Sequence, residues 1–334
     1  MSATENILLI RLKSIGDVVL TLPAIHMIRE NFPDARITLL TSRENAPLMQ
    51  GFREVDETIT LDRANFKSGN PKRILTEAFS LMRRLRGGKY SLVVDFQGFG
   101  ETAWFSRLSG AARRWSTVYG PGRRWAFTYG AKLDDQIHYA DQHLSLLQQC
   151  GLRPGAIRNE FVLPENALAE ARRFFASSGL DPAMPTLFIQ PFTSSPKKDW
   201  PLERFLAVAR HWQARGMQVL FGGGPAESAA LETVRRAGFP VSAGVPLLVT
   251  GGLAKLSTLT LGGDTGILHL AVAMGRRVVM IMESNAPGRP HPFGHADWAI
   301  MPPNDHIVAN VQTGTVIKAC EQVFDGLNLR IAAV

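Results

Sequence analysis

Residues 7–25 of the 334-residue chain read ILLIRLKSIGDVVLTLPAI. The apolar run ILLI at 7–10 is typical of a buried strand, and the spacing of the apolar residues that follow predicts a helix. The turn SIG at 14–16 joins the two, so we expect Asp17 to open the helix. A carboxylate at this position has two interpretations. It is either an N-cap that accepts backbone N–H bonds or a general base at the carboxyl end of the first strand.

Short apolar runs alternate with segments of helical period along the whole chain. The predicted strands are ILLI (7–10), RITLL (36–40), ETIT (57–60), SLVVDF (91–96), TLFIQ (186–190), MQVLFG (217–222), TLTLGG (258–263) and RVVMIM (277–282). The predicted helices span about 17–31, 43–50, 71–86, 99–108, 200–214, 226–237 and 265–274, with another ending near Cys150. This alternation predicts parallel sheets covered by helices on both faces.

A segment rich in Pro and Gly, GLRPGAIRNEFVLPEN at 151–166, predicts the boundary between two doubly wound α/β domains. We assign residues 1–155 to the first domain and 165–312 to the second. Residues 313–334 are assigned to a C-terminal helix with the option of packing back on the first domain. Such sheets bind ligands beyond the carboxyl ends of their strands, so we expect the site in a cleft between facing domains.

Composition excludes several classes of protein. The chain is 45% hydrophobic and 20% charged, as in ordinary globular proteins. No apolar run reaches the roughly 18–20 residues that span a bilayer, and the N-terminus MSATEN lacks the features of a signal peptide. The two cysteines, Cys150 and Cys320, predict neither a disulfide framework nor a metal cluster. These features favour a cytoplasmic location.

Positive charge is concentrated in the first half of the chain. The net charge is +8, and residues 1–160 hold 22 Lys and Arg against 16 Asp and Glu. Residues 63–89 carry eight basic residues and one acid, and residues 107–124 carry five basic residues and no acid. Such stretches attract nucleic acid, a membrane surface or an anionic substrate, unless they are simply a solvated basic face. The lack of a basic–aromatic RNA signature argues against nucleic acid.

Two strand exits in the second half have residues suited to binding a phosphate. QPFTSSPKKDWPLERF (190–205) places Lys197 and Lys198 in a loop before a helix, where lysines can hold an anion. GGDTGILHLA (262–271) ends a strand in two glycines and starts a helix whose first N–H groups are free to meet an anion. Solvated lysines beside a capping aspartate remain the alternative for the first motif.

Three further candidate side chains follow strands in the second half, two of them in the GGDTGILHLA motif. Asp264 would repel a pyrophosphate, so we interpret it as an N-cap or as a partner for sugar hydroxyls. His269 shares a helix face with Thr265, although an isolated histidine is more often a packing residue. FGGGPAE (221–227) is another glycine-rich strand exit, and its Glu227 is suited to accept ribose hydroxyls.

Several common motifs are absent from the sequence. It contains no P-loop, no G-x-G-x-x-G after a first strand, no Asp-x-Asp, no zinc-type spacing of His and Cys, and no G-x-S-x-G. A nucleotide pyrophosphate bound here would therefore need lysine and a helix N-terminus, instead of a metal ion, to meet its charge.

The motifs together resemble family 9 glycosyltransferases, the ADP-heptose:lipopolysaccharide heptosyltransferases. The resemblance begins with ILLIRLKSIGDVVLTLPAIHMIRENFPDARITLLT and continues in YSLVVDFQG (90–98), KKDWPLERF (197–205), GGGPAE (222–227) and GDTGILHLAVAMG (263–275). It implies a GT-B fold with an N-terminal acceptor domain and a C-terminal nucleotide-sugar domain. It also implies metal-independent, inverting transfer of a heptose from ADP-heptose to a lipopolysaccharide inner-core acceptor, either lipid A–Kdo or a heptosylated core.

The resemblance also assigns roles to residues. Asp17 matches the catalytic base, and Lys198 matches the lysine that neutralises the donor's phosphates. The predicted donor-binding residues are Thr193, Lys198, Glu227, Asp264, Thr265, Gly266, Ile267 and His269. The predicted acceptor-binding residues are Ser14, Gly16, Gln97, Arg123 and Arg124. No metal and no cofactor besides the donor substrate is expected.

The resemblance implies a role for the two basic stretches, residues 63–89 and 107–124. They would hold the phosphates and carboxylates of an anionic glycolipid at the cytoplasmic face of the inner membrane, with the enzyme bound there peripherally. The loop ESNAPGRPHPFGH (283–295) departs from the Phe-Gly-Pro-Thr-like turn of the family, and Ile267 stands where proline is frequent. Because that loop lies near the donor in the family, another nucleotide sugar remains an alternative. So do a sugar-nucleotide epimerase and a non-catalytic binding protein of the same fold.

Overall fold

We describe the protein from a computed structural model. The described residues are 4–63, 65, 69–118, 121–132, 134–284, 286, 288–303 and 306–325, without the side chains of Pro121, Arg123 and Asp325. The chain divides into two compact units, Met1–Asn159 and Glu160–Val334. This division falls within the segment 151–166, where the sequence predicts the boundary.

The first unit is built on one sheet. Its strands are β1 (Asn6–Ile10), β2 (Arg36–Ser42), β3 (Glu57–Leu61), β4 (Leu92–Asp95), β5 (Arg113–Val118) and β6 (Tyr129–Lys132). They pair in parallel in the order β3-β2-β1-β4-β5-β6. The helices are α1 (Ile15–Val19), α2 (Leu22–Asn31), α3 (Pro71–Gly87), α4 (Gly100–Leu108) and α5 (Tyr139–Gln149), with 3₁₀ segments at Arg43–Gly51 and Pro121–Ala126.

The second unit repeats this plan. Its strands are β7 (Thr186–Gln190), β8 (Gln218–Gly223), β9 (Val241–Ala243), β10 (Leu259–Gly263), β11 (Val278–Ile281) and β12 (Ala299–Ile300). They pair in parallel in the order β12-β11-β10-β7-β8-β9. The helices are α6 (Glu165–Ser177), α7 (Leu202–Gln213), α8 (Ser228–Arg236), α9 (Leu247–Leu256), α10 (Gly266–Ala273) and α11 (Thr313–Asp325). Short 3₁₀ turns span Pro196–Lys198, Pro225–Glu227, Ala296–Trp298 and Val308–Asn310. The predicted α/β class, with two doubly wound domains, is confirmed.

Two predicted helices take a different form in the structure. The helix predicted over 17–31 is divided into α1 and α2, with Leu20 ending the first and Thr21 preceding the second. Pro23 lies in the first turn of α2, where its missing N–H costs nothing, but it cannot continue a helix from α1. The segment predicted as helix over 43–50 is a 3₁₀ segment with Pro47 inside it.

Among the elements of the described residues, the sequence pattern misses four strands and two helices. The strands β5, β6, β9 and β12 are two to six residues long, and they are too short or too polar to show a period. The helices α6 and α9 pack on each other, and α9 contains Gly251 and Gly252. A Cβ on Gly252 would lie 2.6 Å from the Cβ of Ala171 in α6, so the glycines that suggest a loop permit close helix packing.

Tryptophans fix the motif KKDWPLERF and the last helix to the second sheet. Trp200 is 1% exposed, and its Nε1 donates to the carbonyl of Val311 at 2.9 Å. Trp212 of α7 packs edge-on against Phe324 of α11, with ring centroids 4.8 Å apart. The helix α11 therefore covers the same core as α7 within the second unit. Its predicted return to the first domain stays a prediction.

Glycines lie near the carboxyl ends of β10 and β8, the two strands that flank β7 in the second sheet. A Cβ on Gly262, in β10, would lie 2.4 Å from the carbonyl oxygen of Gln190 in β7. A Cβ on Gly222, in β8, would lie 2.1 Å from Nε2 of the same Gln190 side chain. The Gln190 side chain can move away from a Cβ at Gly222, but its backbone carbonyl cannot move away from a Cβ at Gly262, so glycine is required at Gly262.

We expect Gly262→Ala to lower the free energy of unfolding by about 1–3 kcal/mol, because the methyl group would meet a fixed backbone carbonyl. Gly314→Ala is the matched control. No atom lies within 4 Å of a Cβ built at Gly314, in the first turn of α11, so this change is expected to be neutral or mildly stabilising. Urea unfolding of both variants measures the difference, and equal midpoints would contradict the packing argument.

Candidate functional site

The candidate residues follow strands whose carboxyl ends share one edge of each sheet. In the first unit, Asp17 follows β1 and Gln97 follows β4, which pair directly. In the second unit, Lys198 follows β7 and Asp264 follows β10, which also pair directly. Parallel pairing thus brings together residues that are distant in sequence, at the edge where doubly wound sheets bind ligands.

Asp17 is the third residue of α1, and the N-cap of this helix is Ser14. The interpretation of Asp17 as the N-cap residue is therefore wrong. The Asp17 carboxylate instead points back to the cap, where its Oδ2 accepts from the Ser14 backbone N at 2.6 Å and lies 3.1 Å from the Ser14 hydroxyl. This is the reciprocal half of a capping box, so Asp17 has a local structural role as well as a position at the strand exit.

Arg11 is a partner of Asp17 that the sequence analysis missed. Its Nη2 lies 2.9 Å from Oδ2 of Asp17, and its Nη1 donates to the Phe96 carbonyl at 2.7 Å. Arg11 is only 3% exposed, and its guanidinium lies over the ring of Tyr139, 5.2 Å from the centroid. The sequence does contain a signal for Arg11, because it is a charged residue directly after the buried strand ILLI. A buried guanidinium needs an anion, which the nearest downstream carboxylate supplies.

The contacts of Asp17 leave one of its oxygens open. The bonds from Arg11 and from both Ser14 groups all fall on Oδ2. Among the residues that the structure describes, none bonds Oδ1, and the side chain is 30% exposed. The carboxylate is therefore oriented through one oxygen and presents the other to solvent, which is the arrangement a general base requires.

Gln97 supports the loop that carries Asp17. It is completely buried, and its Oε1 accepts from the backbone N of Leu12 at 2.9 Å and of Lys13 at 3.3 Å. Asp95, at the end of β4, accepts in turn from the Gln97 backbone N at 2.9 Å. Burial raises the pKa of Asp95 to about 6, against the opposing effect of hydrogen bonds from Thr102, Gly98 and Gln97 and of the charge of Arg11. These bonds make Gln97 a positioning residue for the loop, and its predicted contact with an acceptor stays a prediction.

The other predicted acceptor residues lie in two places. Ser14 and Gly16 both lie just before Asp17, and Ser14 is exposed whereas Gly16 is buried in α1. Arg124 is exposed in the 3₁₀ segment that follows β5. The side chain of Arg123 lies outside the described part of the structure. The structure thus brings Ser14, Gly16 and Gln97 together with Asp17, and it places Arg124 at another strand exit.

Asp264 joins two basic side chains in the second unit. Its Oδ2 lies 3.2 Å from Nζ of Lys198, and its Oδ1 lies 3.4 Å from Nε2 of His269. Burial alone would raise the pKa of Asp264, but the hydrogen bond and charge of His269 and the ammonium of Lys198 outweigh it, so this pKa lies below its ordinary value. His269 is 3% exposed, so it is both a packing residue and a partner of Asp264.

Thr265, and not Asp264, is the N-cap of α10. Its Oγ1 accepts from the Ile267 backbone N at 3.3 Å, and its backbone is extended. The N-cap interpretation of Asp264 is therefore wrong, because the Asp264 carboxylate is turned to Lys198 and His269. The first turn of α10, with half-buried Gly266 and Ile267, begins directly at the end of β10. Its N–H groups and the positive end of the helix favour an anion beside Lys198.

Thr193 shapes the loop that carries Lys198. Its backbone N donates to Asp199 Oδ1 at 2.7 Å, and its hydroxyl donates to the Ser195 carbonyl at 2.9 Å. A Cβ on Gly263 would lie 2.5 Å from Cγ2 of Thr193, so the loop rests on the end of β10. Thr193 therefore holds this loop in place, with its hydroxyl already used by the backbone.

Glu227 lies at the exit of β8, in the 3₁₀ turn that precedes α8. It is half-buried, and a Cβ on Gly224 would lie 2.7 Å from its Oε2, so glycine is needed beside the carboxylate. Among the described residues, Glu227 forms no bond with Lys198, Asp264 or His269. Its predicted role toward a ribose stays a prediction.

The loop after β11 borders the Lys198–Asp264 pair. Lys198 and Asp264 line a pocket together with Glu283, Ser284 and Arg289 from this loop. Arg289 is a second cation at the pocket that the sequence analysis did not select. The loop that departs from the family pattern is thus in contact with the candidate anion site.

This arrangement is suited to binding a diphosphate. Lys198 and Arg289 line the pocket together with the carboxylates of Asp264 and Glu283. The N-terminus of α10 begins directly after Asp264, and it favours negative charge as the two cations do. Within the described ranges, no three His, Cys, Asp or Glu side chains are grouped so that they could hold a metal ion.

We expect Asp264→Asn to lower the free energy of unfolding at pH 7 by about 1–2 kcal/mol, because Lys198 and His269 lose a shared anion. A lowered folded-state pKa gives stability that is present above the unfolded pKa of about 4 and is lost as the pH falls through the folded value. The difference between wild type and variant should therefore shrink below about pH 4. Urea titrations across this range, with the exposed Asp297→Asn as control, test the sign.

The chain is similar in sequence to known glycosyltransferases. A sequence model of glycosyltransferase family 9 (heptosyltransferase) matches residues 78–316 of the chain. Lipopolysaccharide heptosyltransferase 3 of Escherichia coli K12 is 25% identical over 278 residues, which cover 80% of this chain and 79% of that protein. Asp17 lies before the first residue matched by the family model, so its role depends on the geometry described above.

Solved structures share the fold over nearly the whole chain. A glycosyl transferase family 9 protein from Veillonella parvula superposes with a TM-score of 0.82 at 22% identity, covering 96% of this chain and 97% of that one. The E. coli heptosyltransferase WaaC with ADP-2-deoxy-2-fluoro heptose gives a TM-score of 0.77 at 18% identity, covering 95% and 99%. At these identities the likeness concerns the fold.

Proposed function

The chain belongs to glycosyltransferase family 9 and is a glycosyltransferase, and on that premise we propose that it moves a heptose from ADP-heptose to an inner-core acceptor of lipopolysaccharide. The observation that carries this proposal is the Lys198 ammonium beside the first turn of α10. Together they offer a nucleotide diphosphate a cation and a helix N-terminus. The curated relative described above, a lipopolysaccharide heptosyltransferase, supports the choice of sugar and acceptor.

In the donor half of the reaction, Asp264 keeps Lys198 in place before the donor binds. The diphosphate then competes with Asp264 for the ammonium, while His269 continues to hold the carboxylate. As the glycosidic bond to the donor breaks, negative charge grows on the leaving ADP. Lys198 and the α10 terminus stabilise this charge, which lowers the barrier without a metal ion.

In the acceptor half, Asp17 is the general base. Its Oδ1 takes the proton of an acceptor hydroxyl, whose oxygen attacks the anomeric carbon from the face opposite the leaving ADP and inverts the configuration. Arg11 and Ser14 hold Oδ2, so Oδ1 keeps a fixed direction during the transfer. A positioned base of this kind contributes roughly 10²–10⁴-fold to the rate.

The acceptor in this proposal is an anionic glycolipid at the cytoplasmic face of the inner membrane. The charge excess of the first 160 residues supports it, since lipid A–Kdo carries phosphates and carboxylates. Every helix in the described part of the chain is too short or too polar to cross a bilayer. In this proposal the enzyme meets the acceptor at the membrane surface.

Calorimetric binding of ADP, UDP and GDP, with a chelator present, tests the donor assignment. We expect ADP to bind best and Lys198→Ala to weaken ADP binding roughly 10–100-fold, because a charge-assisted bond to the diphosphate is lost. Lys197→Ala is the matched control, since Lys197 is the exposed neighbour in the same turn. Preference for UDP or GDP would move the donor to another nucleotide sugar. If no nucleotide bound without a metal, the metal-free donor site would be wrong.

Substitution of Asp17 tests the base. Asp17→Asn keeps an oxygen that can accept from Ser14 but removes the anion beside Arg11, so we expect a folded protein of lower stability. ADP affinity should be retained while kcat falls roughly 10²–10⁴-fold. Asp34→Asn, an exposed carboxylate of the same unit, should leave kcat unchanged. Turnover with ADP-heptose and a soluble acceptor measures both. A folded variant that keeps full kcat would contradict the role of Asp17 as the base, and a lower melting temperature with full kcat would leave Asp17 a purely structural role.

A further inference from the structure

The helix α3 has apolar residues on two opposite faces. The inner face carries Ile74, Leu81 and Leu85, and the last two are buried in the core of the first unit. Glu77 belongs to this side, since it is half-buried and its Oε1 accepts from the backbone N of Asp62 at 3.4 Å. These residues account for the packing of α3 on the sheet.

The outer face is exposed and equally apolar. Leu75 is 68% exposed and Phe79 is 63% exposed, values that are unusual for large apolar side chains. At 100° per residue they share one face with half-buried Met82 and with the exposed cations Lys72, Arg83 and Arg86. This face, which we call the α3 outer face, carries no acidic residue.

A second exposed apolar group lies on α4, which packs against α3, and on the 3₁₀ segment Pro121–Ala126, which packs against α4. Trp104 of α4 is 57% exposed and Trp125 is 48% exposed, and their rings pack edge to face with centroids 4.6 Å apart. The cations Arg107 and Arg124 are exposed nearby in sequence. The helix α4 packs directly against α3, and Arg86 of α3 donates to the Leu108 carbonyl of α4 at 2.7 Å.

The exposed apolar residues lie toward the candidate acceptor edge. The helices α3 and α4 and the 3₁₀ segment with Trp125 each follow the carboxyl end of a strand, as α1 with Asp17 does. Leu75 and Phe79 belong to the first half of α3, which begins at that edge. The surface therefore lies on the side of the first unit that would face an acceptor.

We propose that the α3 outer face, with Trp104 and Trp125, docks on the surface of a bilayer that contains anionic lipids. Leu75, Phe79 and Met82 enter the boundary between head groups and acyl chains, and the two tryptophans settle at the same depth. Lys72, Arg83 and Arg86 pair with lipid phosphates. The inference rests on the proposed function, since a glycolipid acceptor is reached only at a bilayer surface.

Charge distinguishes this occupant from a second copy of the chain. In a symmetric dimer the same patch meets itself, so the cations of the α3 outer face would be brought against each other without an acid to offset them. An anionic bilayer supplies the opposite charge together with an apolar layer. The combination of exposed apolar residues and unopposed cations is therefore complementary to lipid.

Sedimentation with lipid vesicles tests the proposal on the full chain. The probes are vesicles of phosphatidylcholine with phosphatidylglycerol and vesicles of phosphatidylcholine alone. We expect the wild type to prefer the anionic vesicles and the double variant Leu75→Ser/Phe79→Ser to bind them at least about tenfold more weakly. The matched control is Ile157→Ser/Met184→Ser, which changes two exposed apolar residues elsewhere, at 61% and 46% exposure. It should bind as the wild type does.

Three outcomes would overturn the proposal. They are equal binding of the wild type and the α3 variant, no wild-type binding to anionic vesicles, and a wild-type dimer that the α3 variant abolishes in sedimentation velocity. ADP calorimetry on the same proteins separates this test from that of the proposed function. Vesicle docking without ADP binding would contradict the proposed donor alone, and ADP binding without docking would contradict this inference alone.

Discussion

The parallel hydrogen bonding of β1 with β4, and of β10 with β7, determines where the functional groups of each unit lie. Because parallel strands end at a common edge, the loops that follow them meet although they are far apart in sequence. Gln97 bonds to Leu12 across 85 residues, and Lys198 meets Asp264 across 66. Gly262 is required because the backbone of β7 comes so close that it leaves no room for a side chain.

Each unit also uses one carboxylate to organise the charges at this edge. In the first unit, the buried cation Arg11 and the Ser14 cap fix the carboxylate of Asp17, so that one oxygen remains open. In the second unit the relation is reversed, since the carboxylate of Asp264 fixes the cation Lys198 and is itself held by His269. The first arrangement orients a proton acceptor, and the second keeps an ammonium group ready for an anion.

Part of this organisation could be predicted from the sequence. The alternation of apolar runs and helical periods predicted both parallel sheets, and the motifs placed Asp17, Lys198 and Asp264 at strand exits. Strands of two to six residues and the glycine-containing helix α9 were missed. Short strands are set by pairing with their neighbours, and the glycines of α9 are explained by the close approach of α6. Neither property shows in a local period.

The sequence by itself determined the fold class and the residues at the strand exits, because hydrophobic periods and glycine turns are local properties. Only the tertiary structure decided the partner of each charge. In the structure Asp17 pairs with Arg11, and the Asp264 carboxylate contacts Lys198 instead of capping α10. Gln97 is buried beneath the loop that follows β1, whereas Leu75 and Phe79 are exposed to solvent. Those outcomes depend on how each loop and helix face packs against its neighbours in three dimensions, which a local sequence period does not record.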